Sequence, residues 1–113
     1  MRDRDFEFWL ERIYKTAQGR TMERAVRQSR ISNLRHVEEY EGDLDAHYAR
    51  DQMVGLLRRF EYGRDEESRN VSPGHRIPID GDRYTGTATL KSAINLYLKF
   101  SRAWPKGRAA PGV

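Results

Sequence analysis

The chain has 113 residues, 21 Lys and Arg against 17 Asp and Glu, and no cysteine, which leaves room for one domain with one modest core and excludes a multidomain enzyme. Hydrophobic residues at 37%, charged residues at 34% and aromatics at 11% are too polar for a large core and too aromatic for a wholly disordered chain. Without cysteine there is no disulfide framework, no thiolate zinc site and no thiol nucleophile, so a cytoplasmic setting is expected.

Met1 to Asp5 alternates basic and acidic side chains, and Glu7, Glu11 and Arg12 interrupt the apolar stretch that follows. Neither a secretory signal nor a membrane span is expected, because both need an unbroken apolar run. Phe6, Trp9, Leu10, Ile13 and Tyr14 follow the spacing of a helix face, predicting a first helix that ends near Gly19 with its aromatic stripe in the core. Thr21 is read as the cap of a second helix, with Met22, Ala25, Val26 and Ser29 on one side and Arg20, Arg24 and Arg27 in a stripe opposite. At about 100° per residue Ile31 and Leu34 fall on the arginine side, which predicts a bend or break near Ser29 to Asn33. The second piece runs to Tyr40 and stops at Gly42.

Asp43 and Asp51 are helix-start signals, the second ahead of Met53, Val54, Leu56, Leu57 and Phe60, and predict a buried third helix of about ten residues. From Tyr62 to Thr85 the pattern dissolves into Gly, Asn, Pro, Asp and Ser. One long irregular loop over about residues 62–86 is expected, with a short extended piece at Arg76-Ile-Pro-Ile that its proline confines to an edge. A loop of that length is functional or flexible, and Arg69, His75, Arg76 and Arg83 equip it for a phosphate or partner contact. Thr85 or Thr87 caps the last helix, whose core face is Leu90, Ala93, Ile94, Tyr97 and Leu98, with Lys91, Asn95, Lys99 and Arg102 around the rest. The expected architecture is mainly α, a small four- to five-helix bundle forming a single domain over residues 1–104. Residues 105–113 lack periodicity and are expected to form a disordered tail.

Charge falls in blocks. Residues 20–36 carry Arg20, Arg24, Arg27, Arg30 and Arg35 against Glu23 alone; residues 37–62 hold seven carboxylates against three arginines; residues 89–113 hold Lys91, Lys99, Arg102, Lys106 and Arg108 with no acid. The two basic blocks can fold onto one face and present a single positive surface, or can neutralise the acidic block between them. Arginine's planar fork suits bidentate phosphate contacts better than lysine.

His36, His47 and His75 show no metal-ligand spacing, and the single glycines form no phosphate-binding run, so neither a metal nor a cofactor is expected. The carboxylates at 38, 39, 41, 43 and 45 read as caps and a solvated patch. Tyr14, Tyr40 and Tyr97 fall at core spacing, while Tyr48, Tyr62 and Tyr84 have no activating neighbour. No catalytic constellation emerges, and a non-enzymatic role is expected.

Ser32-Asn-Leu-Arg-His-Val-Glu-Glu-Tyr, Asp43-Leu-Asp, Val54-Gly-Leu-Leu and Thr87-Ala-Thr-Leu-Lys-Ser-Ala-Ile-Asn-Leu-Tyr-Leu-Lys-Phe together resemble the core-binding domain of tyrosine recombinases, the SAM-like helical domain of phage integrases. The resemblance spans about four fifths of the chain from Thr21 onward. It implies a helical bundle that grips duplex DNA with its second and last helices near the major groove. It further implies phosphate or groove contacts from Arg24, Arg27, Arg30, Arg35, Lys91, Lys99 and Arg102, hydrogen bonds from Ser29, Ser32, Asn33 and Asn95, and an origin in a phage or other mobile element. The family's catalytic Arg, His and Tyr constellation has no counterpart here, and the loop after Tyr62 is longer than that family needs.

The leading expectation is a DNA-binding accessory domain that uses Arg20, Arg24, Arg27, Arg30, Arg35, Ser32, Asn33, Lys91, Asn95, Lys99 and Arg102 on a basic helical surface. The alternative is a small protein-interaction module, such as a phage-type inhibitor or adaptor, docking on a nucleic-acid-processing complex. A homodimer through the aromatic helix Phe6–Tyr14 is a third.

Overall fold

The computed structural model describes residues 1–105. Among them it contains six α-helices and no strand: α1 Asp3–Arg12, α2 Arg24–Glu41, α3 Leu44–Asp51, α4 Val54–Arg58, α5 Arg64–Ser68 and α6 Arg83–Ala103. The all-α expectation holds. The extra helices come from a split third helix and from a turn of helix inside the expected loop. Of the expected disordered tail, residues 106–113 lie outside the described residues.

The core is built where α1 and α2 meet α6. Phe6, Trp9 and Leu10 of α1, Ile31, Leu34 and Val37 of α2, and Leu90, Ala93, Ile94, Tyr97 and Phe100 of α6 are all buried. The rings of Phe6, Tyr97 and Phe100 contact one another at 5.1–5.4 Å between centroids, in edge and tilted arrangements, the geometry that aromatic quadrupoles favour. Each fully buried side chain of this kind contributes about 1.5–3 kcal/mol by leaving water. Trp104 is buried too and closes the C-terminal end of α6 against Phe8.

α1 stops at Arg12 rather than near Gly19. The amides of Ile13 and Tyr14 both bond the Trp9 carbonyl, and Thr16 to Arg20 forms a separate hydrogen-bonded turn. α2 is a single helix with no break at Ser29 to Asn33. It starts at Arg24 without a side-chain cap, so Thr21 does not cap it. Its core face is set by Ile31, Leu34 and Val37, which places Arg27 and Arg30 at the edge of that face, half-buried, and turns Ala25, Val26 and Ser29 to solvent. Arginine stems can line the edge of a core while the guanidinium reaches out, which is why no phase change is needed. Gly42 ends α2 at φ 91°, a left-handed stop that glycine adopts without strain.

Asp43 caps α3, accepting from the Ala46 amide at 3.2 Å, and the Asp51 carboxylate accepts from the Gly55 amide at 3.0 Å. The expected third helix is thus two short ones, divided at Gln52 and Met53, both in the left-handed region. Met53 is fully buried, and its burial holds the strained turn. α5 has no buried residue and is held by polar bonds, from Gly63 N–H to Glu66 at 2.9 Å and from Arg64 to Glu67 at 3.0 Å. α6 begins at Arg83 and is capped by Asp82, which accepts from the Tyr84 amide at 3.1 Å; neither Thr85 nor Thr87 is the cap. Arg76 to Ile79 is irregular, with Ile77 buried against the core.

Candidate nucleic-acid interface

α2 and α6 form the most extensive helix pair of the bundle, and two clefts lie end to end along their seam. One, of about 270 Å³, is lined by Arg30 of α2 and Ser92, Asn95, Leu96 and Lys99 of α6, and closed by Tyr14 and Met22. The other, of about 280 Å³, is lined by Ser32, Asn33 and His36 of α2, Gly86, Thr89 and Leu90 of α6, and the segment Ile77 to Asp80. Arg30 shares a cleft with Lys99 while His36 shares one with Gly86, so the two helices run antiparallel. The two basic blocks of the sequence therefore converge at Arg30, Asn95 and Lys99.

The convergence is narrower than the sequence implies. Arg20 precedes α2 and joins no helical ridge. Arg24 lies about 120° around the helix from Arg30 and Arg35 about 140°, away from the seam. Arg35 pairs with Asp3 of α1 at 3.3 Å, and Arg27 turns back to donate to the Met22 carbonyl at 2.6 Å. On α6, by contrast, Lys91, Asn95, Lys99 and Arg102 fall on one side of the helix, opposite the buried face of Leu90, Ala93, Ile94 and Tyr97. Arg102 stands at the far margin of that stripe, lining a hollow with Tyr48, Gln52 and Val54.

Among the described residues, the carboxylates of the acidic block that form ion pairs do so with the N-terminus, Arg2, Arg59 and Arg76 rather than with a basic block, while Asp51 lines the hollow beside Arg102. Glu38 and Asp43 bind the Met1 ammonium at 2.8 Å each and Asp45 at 3.4 Å. Glu41, buried at the end of α2, pairs with Arg59 at 3.4 Å and Arg76 at 3.5 Å. Among the described residues Arg24, Arg27, Arg30, Lys91, Lys99 and Arg102 make no ion pair.

Burial alone would lower the Met1 ammonium, but its hydrogen bonds to Asp43 and Glu38 and the charge of Asp45 outweigh that and raise its pKa to about 10. The same ammonium holds Asp43 down at about 2. Burial, reinforced by the bond to Asp45, pushes the Tyr97 phenol up. Tyr97 donates to Asp45 at 2.6 Å and accepts from the Arg2 amide at 2.8 Å.

Both ring nitrogens of two histidines are engaged. His47 bonds the Glu41 carbonyl at 2.6 Å through Nε2 and faces the Arg50 guanidinium through Nδ1. His75 bonds the Thr87 hydroxyl at 2.8 Å through Nε2 and accepts the Ile77 amide at 3.1 Å through Nδ1, stacked on Phe60. Burial lowers the His75 pKa against the partial opposition of Glu41, so its imidazole is neutral at physiological pH and acts as a strut. Exposed His36 stacks on Tyr40, which is surface rather than core. The aromatic stripe of α1 is core: Trp9 is buried and Phe8 packs on Trp104, leaving no exposed aromatic interface for a dimer through α1. Among the described residues no group of three or more His, Asp or Glu side chains could hold a metal ion, and no helix is long and apolar enough to cross a membrane.

Of the residues expected from the sequence, Arg30, Ser32, Asn33, Asn95 and Lys99 line these two clefts. Ser92, Thr89, His36 and the wall formed by Ile77 to Asp80 line them as well and are not among the expected residues. Ser92 carries a legible signal, since it falls about one turn before Asn95 and two before Lys99 on the same side of α6, whereas Thr89 lies about 120° around from Asn95. The wall carries none, because its position depends on the contact of His75 with Thr87. Compared with known proteins, the chain matches no family model, no curated protein and no solved structure.

Proposed function

We propose that this chain is a non-enzymatic DNA-binding accessory domain that lays the α6 stripe and the α2 seam against a duplex. One observation carries the reading: Arg30, Asn95 and Lys99, from basic blocks far apart in sequence, line a single cleft with no carboxylate paired to them among the described residues. Leaving cations unpaired in a chain with 17 carboxylates gives a surface whose charge is available to an outside anion. Lys91, Lys99, Arg102 and Arg30 would contact phosphates and release counterions, while Asn95 and Ser92 hydrogen-bond at the backbone or groove edge. The likeness to the recombinase core-binding pattern supports a mobile-element origin, and the lack of cysteine a cytoplasmic setting.

Fluorescence anisotropy with a labelled duplex over a series of salt concentrations tests this. Log affinity should fall linearly with log salt, with a slope of about −0.9 for each phosphate neutralised. Absence of binding at the lowest salt removes the reading.

A second reading, docking on a protein of a nucleic-acid-processing complex, draws on the hollow between α3, α4 and the C-terminal end of α6. There the half-exposed Val54 adjoins Tyr48, Ala49 and Arg102 around a hollow of about 520 Å³. It expects a nuclease-resistant stoichiometric partner whose binding Val54→Ser abolishes without changing DNA affinity.

A further inference from the structure

The second cleft of the seam differs chemically from the first. Its floor is apolar, with Ile77 and Leu90 buried and Ile79 half-buried. Its rim is polar, with Ser32, Asn33 and Asp80 making no side-chain hydrogen bond or ion pair among the described residues, and with the His36 ring exposed beside them. An apolar floor under a few convergent polar groups is the usual make-up of a site for a small ring system. The volume of about 280 Å³ suits one heterocycle and excludes a helix or strand.

The cleft is also preformed. The wall from Ile77 to Asp80 is fixed at its root, where His75 bridges the Ile77 amide and the Thr87 hydroxyl and Arg76 pairs with buried Glu41. Ile79 rests on Gly86 so closely that a Cβ there would collide with Ile79 Cγ2.

Asp80 brings a negative charge to this rim, so a phosphate is disfavoured here. One helical turn away on both helices, from Asn33 to Arg30 and from Thr89 to Ser92, lies the cleft of Arg30 and Lys99, where a phosphate is favoured. A turn is about 5.4 Å, comparable to the reach from a nucleotide's base to its phosphate. The geometry points to a nucleotide-sized site in which an unpaired guanine of a DNA strand enters the Asn33 and Asp80 cleft while its phosphate rests between Arg30 and Lys99. Guanine is selected because the Asp80 carboxylate is an acceptor only. The guanine edge offers two adjacent N–H donors to it, thymine offers one, and Asn33 can serve either the carbonyl or the amino group beside them. The exposed face of the base stacks on His36, as unpaired bases do on aromatic rings. This inference rests on the nucleic-acid reading of the seam and adds to it a preference for extruded or overhanging bases.

The test uses three labelled DNAs, a blunt duplex and the same duplex with a short guanine or thymine overhang, together with guanosine monophosphate titrated into the isotopically labelled protein. The guanine overhang should bind about tenfold more tightly than the thymine overhang, the discrimination that a bidentate base contact provides. Asp80→Ala should abolish that difference while blunt-duplex affinity is retained or rises slightly with the loss of a negative charge. Guanosine monophosphate should shift the amide signals of Asn33, Asp80 and Thr89. Asp80 is exposed in a loop, and an unchanged amide spectrum of the variant certifies its fold. Equal binding of all three DNAs, with no shifts from guanosine monophosphate, overturns the base site while leaving the duplex reading standing. If no DNA binds but guanosine monophosphate still shifts the cleft in an Asp80-dependent way, the duplex reading fails and the base site survives.

Discussion

Two regions of this molecule handle charge in opposite ways. At the N-terminal end, the Met1 ammonium sits among Glu38, Asp43 and Asp45, with Tyr97 bonded to the last of them. Every charge there has an internal partner, and the result ties α1, α2, α3 and α6 together. Along the α2–α6 seam, Arg30 and Lys99 have no carboxylate partner among the described residues, although the chain has acids to spare. Charge satisfied inside the fold serves stability, and charge left open is what the proposed association would use. The comparison predicts that the two regions fail separately, one in unfolding experiments and the other in binding experiments.

The largest effect is expected at the seam. Arg30→Ala combined with Lys99→Ala should weaken duplex binding by about a hundredfold, because each charged contact is worth tenfold or more. The midpoint of urea unfolding should move only by the packing lost from the half-buried Arg30 stem, since neither side chain makes an ion pair among the described residues. Equal loss of stability and binding would merge the two regions into one.

Next in size is the buried phenol. Tyr97→Phe deletes the bond to Asp45 and leaves the Arg2 amide without its acceptor, which should cost about 1–3 kcal/mol in chemical denaturation with DNA affinity preserved once the protein is folded.

A pH series sharpens the same contrast. The Met1 ammonium has an ordinary value of 8.0 and is raised to about 10 in the fold, so its contribution is complete below pH 8 and is lost as pH climbs through about 10. Asp43 is displaced from 3.8 to about 2, so its contribution is present above pH 3.8 and is lost as pH falls toward 2. Stability should therefore decline at both ends, and Asp43→Asn should flatten both limbs. A pH profile of the variant matching that of the parent would show that the cluster does not stabilise the fold.

The smallest effect is expected at Arg35. Its pair with Asp3 is exposed on both sides, and such pairs contribute about 0–1 kcal/mol. Arg35→Ala should change neither stability nor duplex affinity beyond about twofold, which separates it from Arg30 on the same helix.

What could be read from the sequence was local. The Asp43 cap, the Gly42 stop and the core face Leu90, Ala93, Ile94, Tyr97 and Leu98 each follow from residues within a few positions of one another, and all are present. The errors arose where distant residues decide. Val26 was assigned to the apolar side of α2, yet it is 39% exposed, because Ile31 and Leu34 anchor the helix to α6 and override the pattern of its first two turns. α5 escaped notice because Arg64 to Ser68 has no apolar residue and is held by polar bonds alone. Half of the site was legible for the same reason. Arg30, Asn95 and Lys99 stand out as cations and amides on helices, whereas the wall opposite Asn33 exists only through His75 and Thr87, twelve residues apart.

We propose that the open seam, rather than the α3 side of α6, receives the nucleic acid. Amide chemical-shift mapping with a short duplex tests it most directly. The account predicts that the strongest perturbations cluster at Arg30, Ser92, Asn95 and Lys99 and that Tyr48, Gln52 and Val54 stay unmoved. Perturbations centred on Tyr48 to Val54, with the seam silent, would contradict it.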